Sequence, residues 1–419
     1  MRGMKDSGIE WIGQIPKGWE LRRAKTLFTQ RNSKGNGIEV LLSPTQKYGV
    51  VPQSQLEGVV QVKEDTDLQM FKTVHKGDFV ISLRSFQGGF EYSLYEGVCS
   101  PAYQVFYPTS PICDTYYRYL FKSQSFISKM NNLTVGIREG KNIQYVDFAN
   151  SRIPVPPLAE QERIAVFLDA ECAEIDTVLE KTRASIEEYK KLKQAVITQA
   201  VTKGIRGDRP MKDSGIEWIG NIPAEWDVVR IKNLFDYRNE RNFKPLEEVN
   251  LISLYTDKGV VQHCDLDETT GNKASNADGY KLVYENDIVV NIILCWMGAI
   301  GRSAYFGVTS PAYDVYSPKQ KTNSKFYHYL FRTNGFSGDC YKVGRGIMAM
   351  RWRTYSDQFR AIKVVSPPQS EQEEIVEYLD EKCEGIDDLI AKKQQYLTEI
   401  ENYKKSLIYE YVTGKKEVV

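Results

Sequence analysis

The sequence predicts an α+β protein: two tandem, mostly β globes joined by two long antiparallel helices forming an intramolecular coiled coil with pseudo-twofold symmetry. Three observations carry this. Residues 160–203 contain neither proline nor glycine, and Leu168 and Ile175 fall in one seven-spaced row beside a second holding Cys172, Leu179 and Ile186, the period of a coiled-coil seam. A helix with such a seam needs a partner, and residues 371–413 supply it: EQERIAVFLDAECAEID returns as EQEEIVEYLDEKCEGID, with Leu379 and Ile386 in one row and Cys383, Ile390 and Leu397 in the other. Finally, MKDSGIEWIGQIPKGW at 4–19 returns as MKDSGIEWIGNIPAEW at 211–226, so the whole chain is a tandem duplication.

Each element follows in order. The repeated 4–19 segment is too rich in glycine and proline for a helix and reads as a docked arm anchored by Trp11, Ile12, Ile15 and Trp19, or by Trp218, Ile219, Ile222 and Trp226. Short β-branched runs at 39–42, 59–62, 78–83 and 104–107, with counterparts at 249–253, 287–294 and 314–316, are separated by turn signals and predict strands. Aromatic-rich stretches at 115–130 and 325–338 predict one helix in each copy, and Pro156-Pro157 and Pro367-Pro368 close the globes. The long helices start directly after these prolines. Ser370 stands three before Glu373, a capping-box spacing, where the first copy has Ala159. The first helix leads through IRGDRP into the second arm, whereas the second closes with Val412-Thr413-Gly414-Lys415 near the chain end. Antiparallel pairing would therefore bring the C-terminus beside the N-terminus.

The 419 residues carry 55 Lys+Arg against 55 Asp+Glu, but the balance divides by segment. Net charge is +5 over 1–157, −1 over 158–210, +2 over 211–368 and −6 over 369–419. Acidic residues solvate the helices; the basic excess of the globes points toward nucleic acid. No run of eighteen apolar residues and no apolar signal-peptide core is present, so a cytoplasmic protein is expected. Seven cysteines without a CxxC pair, and only three histidines, predict no metal and no disulfide framework.

Catalytic motifs are missing from the pattern. GIREGK at 136–141 is one residue short of a phosphate-binding loop and lacks the following Ser or Thr. Neither GxGxxG after a strand, HExxH nor GxSxG occurs, and His75, His263 and His328 sit in unrelated contexts, so a non-enzyme is expected. Two related but unlike globes on a spacer suit a reader of two separated half-sites on duplex DNA. A coiled-coil interaction scaffold without DNA specificity would account for the helices but leave the basic globes unexplained.

The SGIEWIGQIPKGWEL arm, the SPAYQVFYP turn with its copy SPAYDVYSP, and PPLAEQERI leading into a long helix resemble the specificity subunit of type I restriction-modification systems, over the whole chain. The resemblance implies a first target-recognition domain at 1–157, a first conserved long helix and linker at 158–210, a second target-recognition domain at 211–368 and a second conserved long helix at 369–419. It implies that the chain chooses an asymmetric, bipartite DNA sequence with a fixed non-specific spacer and catalyses nothing. Two methylation subunits would bring S-adenosylmethionine, and two restriction subunits would bring ATP and Mg²⁺, in DNA methylation and phage defence.

Within that reading, polar loops of the β part hold the residue types that contact bases and phosphates. In the first globe these are Gln46, Lys47 and Tyr48 (TQKYG), Arg84, Ser85 and Gln87 (RSFQGG), Tyr103 and Gln104, and Arg138 and Lys141 (GIREGKN). In the second they are Tyr255, Thr256 and Lys258, Asn291 and Trp296, Arg302, Tyr313, and Arg345, Arg351 and Arg353 (GRGIMAMRWR). Tyr103 and Tyr313 lie inside the repeated SPAY and fit a framework role as well as a DNA contact. Arg84 aligns with Ile293, and RSFQGG faces ILCWMG, so the two half-sites should be unlike.

Overall fold

The computed structural model describes residues 2–35, 40–56, 68–82, 89–133, 143–263, 276–346 and 352–418. The chain forms two compact units, Met1–Arg183 with Gln394–Val419, and Ala184–Lys393. Each unit thus joins one globe to a part of both long helices, Leu158–Lys203 and Gln369–Val412.

In the first unit the arm folds as an antiparallel pair, Met4–Asp6 on Gln14–Pro16, in place of a helix. Its turn needs Gly13 at φ +67°, a region open to glycine without a Cβ penalty. Ile12, Ile15 and Trp19 are fully buried, while Trp11 is half-buried with its ring edge-on to Phe126. The centre of the globe is a four-stranded antiparallel sheet in the order Phe28–Arg31, Gln104–Pro108, Phe79–Ile81, Phe90–Tyr92. Glu20–Arg23 pairs with Arg152–Val155, bringing the strand after the arm against the strand before the prolines and closing the globe. The core is aromatic: the Phe28 ring lies 5.2–5.8 Å from the rings of Phe79, Phe106, Tyr117, Phe121 and Phe148. Burying each such ring contributes about 1.5–3 kcal/mol over leaving it in water.

The second unit repeats the plan with Phe235–Arg238, Tyr313–Pro318, Ile288–Asn291 and Ile300–Arg302 as its sheet, and Asp227–Arg230 on Lys363–Ser366 as its closing pair. Both sheets are pinned by a buried aspartate, just before an inner strand, gripped by an arginine from the edge strand two places away. Arg31 donates to Asp78 at 2.7 and 3.0 Å, and Arg238 donates to Asp287 at 2.8 and 3.2 Å.

The single aromatic helix predicted in each copy is two helices. Asp114–Lys122 breaks before Gln124–Leu133, and Ser324–Phe331 breaks before Asn334–Val343. The break falls at Ser123 and Thr333, whose hydroxyls donate back to the carbonyls of Leu120 and Leu330 and compete with the helix for them. No glycine or proline marks the positions. Of the predicted strands, 59–62 lies outside the described residues, and the 287–294 run is a strand only to Asn291 before a 3-10 turn at Cys295–Met297.

The long helices pair antiparallel within each unit. In the first, the Phe167 ring meets Tyr411 at 4.4 Å, and Asp176 accepts from Lys404 at 2.6 Å. In the second, Lys193 donates to Asp387 at 2.7 and 2.6 Å, the same pair displaced by the repeat, and Arg206 pairs with Glu374 at 2.8 Å. These pairs are screened by solvent, so they fix register more than stability. Along the predicted seam, Leu168, Leu179, Ile186, Leu379 and Ile386 are buried, and Ile175, Ile390 and Leu397 are half-buried.

The helix starts differ from the spacing argument. The second helix begins at Gln369, so Ser370 lies inside its first turn and not at its cap. The work passes to the next two residues, in both copies. Gln161 Nε2 donates to the Pro156 carbonyl at 2.8 Å while its Oε1 accepts the Cys113 amide at 2.9 Å; Gln372 does the same with Pro367 and Asn323 at the same distances. Glu160 accepts the Trp19 indole N–H at 2.9 Å and pairs with Arg2. Glu371 accepts the Trp226 indole at 2.8 Å and pairs with Arg209. Arg2 and Arg209 each also stack over their tryptophan.

Candidate nucleic-acid interface

The first loop cluster is a hairpin tip held against the aromatic helix. Leu42–Thr45 and Gly49–Pro52 pair antiparallel, and the tip carries Gln46, Lys47 and Tyr48. The Thr45 hydroxyl accepts the Tyr48 amide at 3.0 Å, Lys47 sits over the Tyr48 ring at 4.7 Å, and Tyr48 is 60% exposed. Beneath the tip, Lys122 donates to the Gln46 carbonyl at 3.4 Å and to the buried Glu91 at 2.5 Å. The matching tip of the second unit, between Ile252–Tyr255 and Gly259–Gln262, carries Thr256 and Lys258, with Tyr255 ending the strand before it. Arg332 stands where Lys122 does and Gly301 where Glu91 does. Its guanidinium donates to the carbonyls of Thr256 at 2.9 Å, Asp257 at 2.8 Å and Ile300 at 3.0 Å. One copy clamps its tip with a lysine–glutamate pair, the other with a single arginine fork.

Burial pushes Glu91 up to about 7, against the pull of the Lys122 ammonium. A carboxyl raised in this way holds its proton more tightly folded than unfolded. Its contribution is therefore best below the ordinary value of 4.5 and declines as pH rises to about 7. We expect the melting temperature of the native chain to fall relative to Glu91→Gln across that window. Parallel pH profiles for the two proteins would contradict the assignment.

Other predicted contacts have work inside the fold. Gln104 donates to Gln144 at 2.9 Å and accepts the Tyr145 amide at 2.7 Å, ordering the start of the helix Tyr145–Asn150. Asn291 Oδ1 accepts the amides of Ile293 and Leu294 and shapes the turn after its strand. Arg302 donates twice to Asn286 Oδ1, at 2.8 and 2.6 Å, closing a turn in which Asn286 has φ 73°. Tyr103 and Tyr313 pack half-buried against equivalent small cores, one around Leu42 and Val105, the other around Ile252 and Val315. In the ILCWMG stretch, Cys295 is buried, Leu294 is exposed, and the half-buried Trp296 donates to the Ile293 carbonyl at 2.9 Å. Arg84, Ser85, Gln87, Arg138, Lys141 and Arg351 lie outside the described residues.

The structure brings the predicted Trp296 together with two residues that sequence reasoning passed over, Tyr341 and Trp352. Tyr341 meets Trp296 edge-on at 5.6 Å and stacks on Trp352 at 4.9 Å with 21° between the planes. Trp352 lies against Tyr341 of the helix Asn334–Val343, and the bridge between Arg345 and Arg353 adjoins it in sequence. Trp352, the one aromatic in GRGIMAMRWR, was the available signal.

One framework built twice, with loops of unlike chemistry on each copy and a part of both long helices in each unit, defines a duplicated recognition module. The chain belongs to the type I restriction modification DNA specificity domain family, which matches residues 16–188 and 223–401. It is 25% identical to a putative type I restriction enzyme MjaX specificity subunit of Methanocaldococcus jannaschii, over 97% of this chain and 96% of that one. It is also 27% identical to the type I restriction enzyme MjaVIII specificity subunit of the same organism, over 67% of this chain and 66% of that protein. In fold it is similar to a chain from a study of type I R-M complex assembly and conformational transition, with a TM-score of 0.70, 14% identity, and coverage of 96% of this chain and 99% of that one. It is similar too to the HsdS subunit from Thermoanaerobacter tengcongensis, with a TM-score of 0.52, 15% identity, and coverage of 96% and 98%. Among the described residues, no helix is long and apolar enough to cross a membrane.

Proposed function

We propose that each globe reads one half of an asymmetric, bipartite DNA sequence, and that the chain presents that sequence to methylation and restriction subunits while catalysing nothing itself. The observation that carries this is the pattern of sameness and difference between the copies. The aspartate–arginine clasp, the glutamate–tryptophan–arginine triad and the glutamine latch recur residue for residue, whereas the tips and loops do not. A scaffold for one kind of partner has no need of two unlike loop sets on one frame. Two readers of unlike half-sites do.

On this reading the partners are double-stranded DNA, two methylation subunits carrying S-adenosylmethionine, and two restriction subunits carrying ATP and Mg²⁺, in the cytoplasm. Lys258 and the arginines of the GRGIMAMRWR loop are the second globe's basic contacts; Lys47 with Tyr48 is the first globe's. Comparing the methylomes of a strain with and without this gene tests the proposal. An adenine mark on a two-part motif with unlike halves should disappear with the gene. An unchanged methylome, or purified chain that methylates DNA unaided, would overturn it.

A further inference from the structure

We propose that Arg345 and Arg353 form a clamp for a DNA backbone phosphate, a positioning contact that rests on the DNA reading above and assigns the pair a role other than base recognition. The two residues face each other across an antiparallel bridge: the Arg345 amide donates to the Arg353 carbonyl at 2.8 Å, and the Arg353 amide donates back at 2.9 Å. Residues paired by two such bonds project their side chains from the same face of the ribbon, with Cβ atoms about 4.5–5.5 Å apart. Two guanidinium groups are therefore held side by side.

Among the described residues, no carboxylate forms an ion pair with Arg345 or Arg353. Like charges directly opposite in a ribbon are destabilising. A neutral base edge would accept hydrogen bonds but leave the repulsion in place. A phosphodiester removes it, and planar guanidiniums fit its oxygens in pairs.

The ribbon is also built to stay in place without DNA. Thr354, fully buried next to Arg353, donates from its amide to the Ile292 carbonyl at 2.8 Å and from its hydroxyl to the Cys340 carbonyl at 2.9 Å. Trp352 donates to the Tyr341 carbonyl at 3.0 Å and stacks on that ring. On the other strand, Gly344 leaves room for this: a Cβ there would lie 2.3 Å from Trp352 Nε1. The positive pair is thus carried on an anchored base, and little ordering is left to be done on binding.

The test compares the full-length chain with R345Q/R353Q and R345K/R353K by fluorescence anisotropy, on a duplex carrying the methylated motif and on an unrelated duplex, over a series of salt concentrations. One to two lost phosphate contacts should make the slope of log affinity against log salt shallower by about 1–2 in the glutamine variant, equally on both duplexes. The methylated motif should stay the same, and the lysine variant should restore the slope because it keeps the charge. An unchanged slope with normal DNA binding would overturn the clamp while leaving the DNA reading intact. So would loss confined to the motif duplex, or failure of lysine to rescue, since both indicate bidentate base contacts. A native chain that binds neither duplex would remove the DNA reading, and the clamp with it.

Discussion

Glu371→Ala is expected to destabilise the second unit by about 3–5 kcal/mol, the cost of leaving a buried charge without its partner. The Glu371 carboxylate is fully buried; it accepts from Arg209 at 2.6 Å through one oxygen and from the Trp226 indole at 2.8 Å through the other. Removing it strands a guanidinium that is itself only 10% exposed, together with the N–H of a fully buried tryptophan. Glu225 still pairs with Arg209 at 2.9 Å but is half open to solvent and offsets only part of the loss. Glu160→Ala in the first unit should cost less, because Arg2 is 21% exposed and water can reach it. Arg206→Ala, which breaks a pair with Glu374 that lies in solvent, should cost least of the three. Chemical denaturation of the three variants checks the order. A loss under about 1 kcal/mol for Glu371→Ala would mean that the triad is not what fastens arm to helix.

That triad shows how far the sequence could be read. The duplicated letters around it, the tryptophan-bearing arm and the EQ pair after the prolines, were visible, and so were the helices, because a seven-residue period survives without any knowledge of contacts. What each letter does was not visible. Periodicity says which face of a helix is buried, whereas Glu371 and Gln372 act at the helix start through partners many residues away. The spacing instead singled out Ser370, which the helix absorbs into its first turn.

A second case ran the other way, where the letters differ and the structure agrees. The first helix ends Lys203-Gly204 and the second Gly414-Lys415, which reads as a mismatch. Yet the Lys203 amine reaches the carbonyls of Ile219 and Asn221, and the Lys415 amine reaches those of Ile12 and Gln14, the same two positions of each arm. A flexible four-carbon stem lets either order satisfy the same pair of acceptors.

For the interface, residue type alone could not separate readers from builders. Asn291, Gln104 and Arg302 carry the right donors and acceptors, but turns and helix starts within the globe use them. Arg345 and Arg353 stand out only once the bridge between them is known.

Replacing residues 211–368 with the second globe of another family member should change one half of the methylated motif completely and leave the other half as it was. The boundaries are supported by the closing strand pair, Asp227–Arg230 on Lys363–Ser366, which completes the globe within the exchanged segment. Its attachments to the rest of the chain include Glu371 on Trp226, Gln372 on Asn323, Asp380 on Lys325 and Tyr329, and Lys203 on the arm carbonyls, so a transplanted globe must supply those positions. The methylome of a strain carrying the exchanged gene, read beside that of the parent, is the most direct measurement of the central claim. The account predicts a new half-site paired with the parental one across an unchanged spacer. A motif altered in both halves, or one altered in neither, would contradict the reading of this chain as two independent recognition units on a common frame.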